Sequence, residues 1–585
     1  MSWTIDARNW PIRPDGRRDF NYNALASGSV IAMNLALSTA GRLGFFIDYS
    51  ERETVGEHTF YATRTHGSTG AVGCTWTAYD SADGTQLATG SLSWANQALD
   101  VLSFTVNIPS KPAGDHRIYV LLSAPTGGAV LHHGNGTVAY GIIDDDTIAE
   151  NNALFIDADA VTDGTGTQGS PYNNWYSARS AASVTTRFIY IKGQLIPDGT
   201  DTGIGGADAG IKHLSLNANF DGRVSESERI VIRNWPSFVG GLDGGGQADV
   251  AGFHCDSPSS LSYITFRNLT VTNLNTSSLS ASIGSCFFLW TKGAHNYISV
   301  ESSNFSDIAS GANAATGVIY TDGGIREGYK IWNCSFDNIT HVNVSKNMHA
   351  LECYRLRNTS IQKCTVSQTA GGFYQKSGLD DADRVGLSCR FNYLDGAHIR
   401  LSTLSSSWIQ EYHIAQCNIF HNPRSVTDYA PIGMDSGNTN ATSRGQHISN
   451  NIIYNHNNGT SGDIQVLDVG FEKAVYYNNI HVECKRPWRF LSPSDAAEYI
   501  DFNCFYNETI PAPIFNYVEN QDSLSLSTVR SSLNFDINTA TTNPLISDPV
   551  AGDFKLQNGS PALTGGVSGT QQGAYLGNFY TIGAN

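Results

Sequence analysis

At 585 residues the chain exceeds what one ordinary core organises, so two or more domains, or one long repeat stack, are expected. Glycine is abundant (58), proline is sparse (18), and runs of Leu, Glu, Lys and Ala at helical spacing are absent, which excludes a helical protein and points to β-structure. A formal net charge of −17 makes nucleic acid an unfavourable partner, and no stretch of about 18 apolar residues occurs to span a membrane.

Residues 1–40 differ in character from the strand-rich stretch after them. The stretch from Met1 to Phe20 has no apolar core segment and no small-residue cleavage site, so no signal peptide is expected in it. Trp3, Trp10 and the basic run from Arg13 to Arg18 suit an arm or adaptor for attachment to a virion or cell surface; a flexible tail is the plainer reading. From 41 to 146, runs such as TFYATRTHGSTGAVGCTWTAYD, LSFTVNIP and RIYVLLSAPTGGAV alternate between turn signals. That pattern predicts an antiparallel sandwich of about seven strands. The Val55-Gly56-Glu57 entry, the Thr63-Arg64-Thr65 strand followed by Gly67 and Gly70, and the Ile142-Ile143-Asp144-Asp145-Asp146 exit resemble a Calx-β domain. The resemblance implies calcium held by clustered carboxylates at one end. Here SKPAGDHRIYVLL stands where that family carries several acids, so Ca2+ stays an open cofactor and a spacer or adhesive module is the expected role.

After a linker from Thr147 to Asn152 come a strand, a Gly-rich loop, a short helix near Tyr172–Ser183 and a second strand. This opening resembles the capped start of right-handed parallel β-helix proteins, where an uncovered end would expose strand edges. The runs SYITFRNLTV, YISVESSNF, KIWNCSF, SIQKCTV, VGLSCRF, HIAQCNIF, HISNNIIY, VYYNNIHV and IDFNCFY then recur. A period of roughly 26 to 34 residues without helices between them predicts coils of a parallel β-helix. Aligned, the runs stack Asn268, Cys334, Cys364, Cys389, Cys417, Asn451, Asn479 and Cys504 in one inward ladder. Parallel Cβ vectors bridge poorly, so buried free thiols are expected, which suits assembly in a reducing cytosol. Zinc is not expected, because no CxxC or HxxxH grouping occurs. The tail TNPLISDPVAGDFKLQNGSPALTGG resembles the closing segment of bacterial and phage β-helix proteins. The fold expected is therefore all-β: a Calx-β-like sandwich (41–146), a right-handed single-stranded parallel β-helix of the pectate-lyase-like kind (153–520) and a closing segment (521–585).

Each coil contributes a further strand: GVIYTDG, HALECYR, GGFYQKS, AHIRLS, PIGMDSG and DIQVLD. With apolar residues inward, an outward row of Glu352, Lys376, Arg400 and Asp435 is expected, with Tyr374 and His398 beside it. Coils about 4.8 Å apart would make this a groove about 15 Å long, the span of three to four sugars. Lys376 and Arg400 are expected side by side, a repulsive pair unless an anion bridges them. Trp488 and Arg489 could stack a sugar ring, though a packed coil with snorkelling arginines is equally consistent.

The segments Lys376-Ser377, Cys389-Arg390-Phe391-Asn392 and Gly396-Ala397-His398-Ile399-Arg400 match, in order, the catalytic stretch of chondroitinase-B-like polysaccharide lyases, which this region resembles. The resemblance implies Lys376 as the base at C5 of a uronate and Arg400 as helper of the leaving oxygen. That class carries two glutamates just before the lysine to hold calcium, and Thr369 to Gln375 offers none. No metal ligand is therefore assigned; Glu352 could substitute in part, or Arg400 could neutralise the carboxylate alone. A hydrolase would use Glu352, Asp435 and the loop acids Asp380, Asp381 and Asp383 instead. The expectation is a tailspike- or depolymerase-like protein, in a virion tail or extracellular, trimeric, and acting on a capsular, exopolysaccharide or alginate-like glycan. Lyase chemistry is favoured over hydrolysis. A secreted bacterial lyase or epimerase, and a non-catalytic adhesive stalk, are the alternatives.

Overall fold

The computed structural model describes residues 40–574 with interruptions, the longest at 198–211, 277–287 and 377–386. Ahead of them it describes one short antiparallel pair, Thr4–Ile5 with Pro11–Ile12.

Nine strands between Arg42 and Ile143 form a two-sheet sandwich, four in one sheet and five in the other. About seven were expected; the difference arises partly at Asp48. There the first long strand ends and the chain changes sheets, Arg42–Ile47 lying in one and Tyr49–Arg52 in the other. Alternation places Cys74, Trp76 and Ala78 inward against Phe45, Phe60 and Val106, the usual core of packed antiparallel sheets.

The sheet after the sandwich links 34 strands, and its long-range partners are overwhelmingly parallel. Each full coil supplies three strands to this sheet, so the stack has three faces. The first face runs through Ser262–Arg267, Asn296–Glu301, Lys330–Trp332, Thr359–Gln362 and Leu387–Arg390. The second runs through Tyr393–Asp395, Ile419–His421, Ile452–Tyr454 and Ile480–Val482. The third runs through Met348–Tyr354, Phe373–Lys376, Ile399–Thr403 and Ile432–Ser436. Inside, Ile, Leu, Val and Phe stack on like residues of the next coil in one continuous core. The helix Trp175–Ala181 covers the open end: Asn174 caps it by accepting from the Ser177 N–H at 2.9 Å, and Trp175 enters the core.

The inward ladder at the bend after the first face differs from the one expected. Its members are Cys334, Cys364, Asn392, Asn418, Asn451, Asn479 and Asn503. Each Asn Oδ1 from Asn392 to Asn503 accepts the N–H of the preceding coil's ladder residue, at 2.9 to 3.2 Å. Cys389 instead pairs with Ile361 and Ala415 within the strand, and Cys504 pairs with Ile480. Asn268 and Cys417 sit one residue before the ladder, at φ 52° and 58°, in the left-handed bend position also held by Asn450 and Asn478. Matching by residue letter merged columns that differ by one to three residues, because Cys and Asn both suit several of them. Among the described residues eight cysteines are buried thiols in no disulfide.

Two of the three outer faces are covered by the chain's own segments. The sandwich lies against the first face. Tyr49 stacks on Trp332 with ring centres 4.7 Å apart, and Phe46 meets Phe391 edge-on at 5.2 Å. Arg117 reaches Glu301 with one guanidinium nitrogen, 2.9 and 3.0 Å from the two carboxylate oxygens; Arg267 meets the same carboxylate at 3.0 Å and also pairs with Glu51. Lys330 pairs with Asp48, which also accepts from the Ser360 hydroxyl at 3.1 Å. Arg390 donates to the Phe45 and Phe46 carbonyls at 2.8 and 3.1 Å. The closing segment covers the second face: Phe554, Ala562 and Ala574 pack on Ile419, Ile452 and Ile480. Before that, residues 534–540 imitate one more rung, with Asp536 Oδ1 accepting from the last ladder residue, Asn503, at 2.9 Å.

Candidate functional site

The third face holds the remaining strand of each coil, and among the described residues its outward column is buried at Tyr320, Glu352 and Tyr374. Its inward column is Leu351, Phe373, Ile399, Ile432 and Trp488, all buried. One residue further along each strand, the register reads Tyr320, Glu352, Tyr374, Arg400, Gly433, Gln465 and Arg489. Two residues beyond that it reads Tyr354, Lys376, Ser402 and Asp435.

The expected single row is thus two columns. Arg400 is opposite Tyr374, and Lys376 is opposite Ser402. Lys376 and Arg400 are offset by two residues along adjacent strands, which puts their Cα atoms about 8 Å apart, not side by side. The physical reason is that strand alternation has period two: it decides which face a residue takes, and a two-residue slip leaves that unchanged. Asp435 falls in the Lys376 column, next to Ser402. The side chains of Lys376 and Asp435, and the loop acids Asp380, Asp381 and Asp383, lie outside the described residues.

Trp488 does not offer a stacking platform. It belongs to the inward column, is fully buried, and donates its Nε1–H to Asp536 at 3.0 Å. Arg489, its neighbour, holds the outward position. Of the three segments matched to the lyase stretch, Cys389–Asn392 is elsewhere: Arg390 is buried against the sandwich and Asn392 is a ladder rung on the opposite side of the core from the third face.

Around Tyr374 the structure gathers a cluster that the sequence pattern reveals only in part. Arg400 holds its guanidinium carbon 5.1 Å from the Tyr374 ring centre. His349, which that pattern does not mark, packs its ring 4.9 Å from Tyr374 and 5.5 Å, nearly perpendicular, from His398. Gly371 makes this arrangement attainable, since a Cβ there would come 2.4 Å from His349 Nδ1. At Gly372 a Cβ would meet the His398 carbonyl at 2.0 Å. The Gly-Gly pair was the available signal, because glycine inside a strand marks close approach of a neighbour. Glu352, His349, His398 and Tyr374 are buried, while Arg400 is half-buried. Burial, with the Arg400 charge adding to it, pushes the His398 imidazole down to about 3, so it is neutral at any working pH. The column thus sets a planar cation, Arg400, over an aromatic ring and carries a second, Arg489, three coils further on.

Among the described residues no three His, Cys, Asp or Glu side chains converge as a metal cage. Asp144, Asp145 and Asp146, which carried the calcium expectation, lie outside them.

Fold and face together define an all-β protein: a sandwich docked on a parallel β-helix whose third face carries a cation–aromatic column. No protein-family model matches the chain, and no curated protein matches it. Among solved structures, the apo-form Calx CBD1 domain is similar at 19% identity over 18% of this chain and 96% of that one, with a TM-score of 0.16. The CBD12 structure from CALX1.2 matches at 17% identity, over 21% of this chain and 53% of that one, with TM-score 0.16. The CARDB domain of the PF1109 protein from Pyrococcus furiosus matches at 16% identity, over 21% and 98%, with TM-score 0.14. Scores this low carry no argument.

Proposed function

We propose that the chain binds an elongated, carboxylate-bearing polysaccharide along the third face and cleaves it by β-elimination, as a tailspike- or depolymerase-like protein. In that reaction a base removes the proton at C5 of a uronate, the C4–O bond breaks, and its electron pair leaves with the glycosidic oxygen. That oxygen takes up a proton while a C4–C5 double bond forms. Lys376 or the Tyr374 phenol is the candidate base, and Arg400 neutralises the carboxylate so that the carbanion becomes accessible. One observation carries the reading: a single column of the third face aligns Tyr374 and Arg400, with Lys376 two residues away. Elongated binding is supported by Arg489 three coils further on in the same column. Hydrolysis led by Glu352 is the weaker alternative, because it needs a second carboxylate roughly 5–10 Å away and the column of Glu352 carries none.

The test is a screen of uronate-containing and capsular polysaccharides with the wild type and Lys376→Ala, following the ultraviolet absorbance of the unsaturated product. Absorbance that the variant abolishes supports elimination with Lys376 as base; absorbance that it retains transfers the base role to Tyr374. New reducing ends without absorbance mean hydrolysis. Binding without cleavage of any glycan makes the protein an adhesin.

A further inference from the structure

The two end strands of the sandwich's five-stranded sheet are finished differently. One, Tyr49–Arg52, has four residues and lies against the β-helix, where Tyr49 stacks on Trp332 and Glu51 pairs with Arg267. The other, Gln86–Trp94, has nine residues, and among the described residues its one strand partner is Val72–Asp80. In an antiparallel pair alternate residues turn both backbone groups away from the partner, so this strand presents N–H and C=O groups on its outer side. Edges of that kind are normally blunted by lysine, proline, shortness or a cover. This one has no charged residue and no proline, and Gln86, Thr89, Ser91 and Ser93 are exposed. Its register shift lies at the start, against Tyr79, and Ala88 to Trp94 pair regularly. Beside Ser91 and Ser93 the face is open too: a hollow of about 510 Å³ is lined there by Gly73, Thr75 and Thr126.

We propose that this edge pairs antiparallel with the same edge of a second copy of the chain, about a two-fold axis at Ser91, so that two sheets become one. The regular stretch is self-complementary in that register. Outward, Ser91 opposes its own copy and Thr89 opposes Ser93 of the partner subunit, so hydroxyls meet hydroxyls. Inward, Gly90 opposes Leu92 of the partner subunit and Ala88 opposes Trp94 of the partner subunit, small against large. Two chains of net charge −17 repel, and a strip without charge is where they approach with least penalty. A contact that uses the same edge on both copies closes at two. The other sheet's long edge, Leu102–Ile108, starts beside Val101, which packs with Phe46 and Phe391, so the β-helix stands at its end. A strand pair roughly 24 Å long is a small interface, which sets the expected Kd at ~1–100 μM. The proposal is independent of the glycan reading, since the edge belongs to the sandwich and the third face to the β-helix.

The experiment is sedimentation velocity of the full-length chain over ~1–200 μM. The average mass of the wild type is expected to rise from one chain toward two. Ser91→Lys sets like charges opposite each other at the axis and is expected to weaken association ~10-fold or more; Ser91→Glu is expected to do the same. An equimolar mixture of these two variants is expected to regain at least the wild-type level, because opposite charges then meet across the axis. Thr105→Lys, on the outer strand of the other sheet, is expected to change nothing. If Ser91→Lys fails to fold, Ser91→Glu alone decides. A wild type that stays monomeric throughout overturns the second copy as occupant and leaves the edge to an extended segment of another protein. An assembly of any size that the Ser91 variants leave unchanged overturns the edge. Association that the variants weaken and their mixture does not restore overturns the register at Ser91.

Discussion

The first and third faces of the β-helix are built from the same coils by the same rule, and both carry cations at outward positions. On the first face those cations meet carboxylates and carbonyls of the chain itself: Arg267 meets Glu301 and Glu51, Lys330 meets Asp48, and Arg390 meets two backbone carbonyls. On the third face Arg400 meets an aromatic ring and a glycine. The lesson is that an outward basic residue on a solenoid says little about ligand binding until its partners are known. The first-face strip, taken alone, would look the better anion site. Its charges are consumed in holding the sandwich, at a seam where removing either partner strands the other without water.

The largest way to break this comparison is Glu301→Ala. It takes from buried Arg117 its carboxylate partner and from buried Arg267 one of two, an expected loss of about 3–5 kcal/mol. Calorimetry should show the main transition lowered and a separate sandwich transition emerging; an unchanged single transition would contradict the docking described. Trp332→Ala removes the surface on which Tyr49 stacks, and an expected loss of about 3 kcal/mol or more should again appear first at the seam. Loss of stability without loosening of the sandwich in small-angle scattering would count against it. Asn451→Ala, in the middle of the ladder, takes an acceptor from the buried Asn418 N–H and a donor from the Ala415 carbonyl. The cost should be about 1–3 kcal/mol and should leave the seam intact, as urea melts read at both regions would report.

The smallest effect concerns pH. Burial pushes the Asp501 carboxyl up to about 6, against the pull of hydrogen bonds from Phe502, Asn538 and the Asn538 side chain. A folded value above the unfolded one means that its contribution is fully present below about pH 4 and is lost as pH rises through about 6. Asp501→Asn should flatten that part of the Tm–pH curve while leaving the sandwich seam unaltered. A curve identical to wild type would remove Asp501 from the account.

The repeat period, the alternation and the absence of helical spacing were enough to determine an all-β chain with a sandwich followed by stacked coils. Local chemistry sufficed because side-chain alternation and bend residues are written into each coil separately. The same local information placed Tyr374, His398 and Arg400 in one neighbourhood. It could not decide the register by two residues, since parity is blind to such a slip, and so Lys376 was set against the wrong partner. Nor could it tell that Trp488 faces the core or that Arg390 lies under the sandwich, because burial by a distant segment leaves no local trace. Which cations are consumed at the sandwich seam was decided only when the sandwich folded back onto the coils.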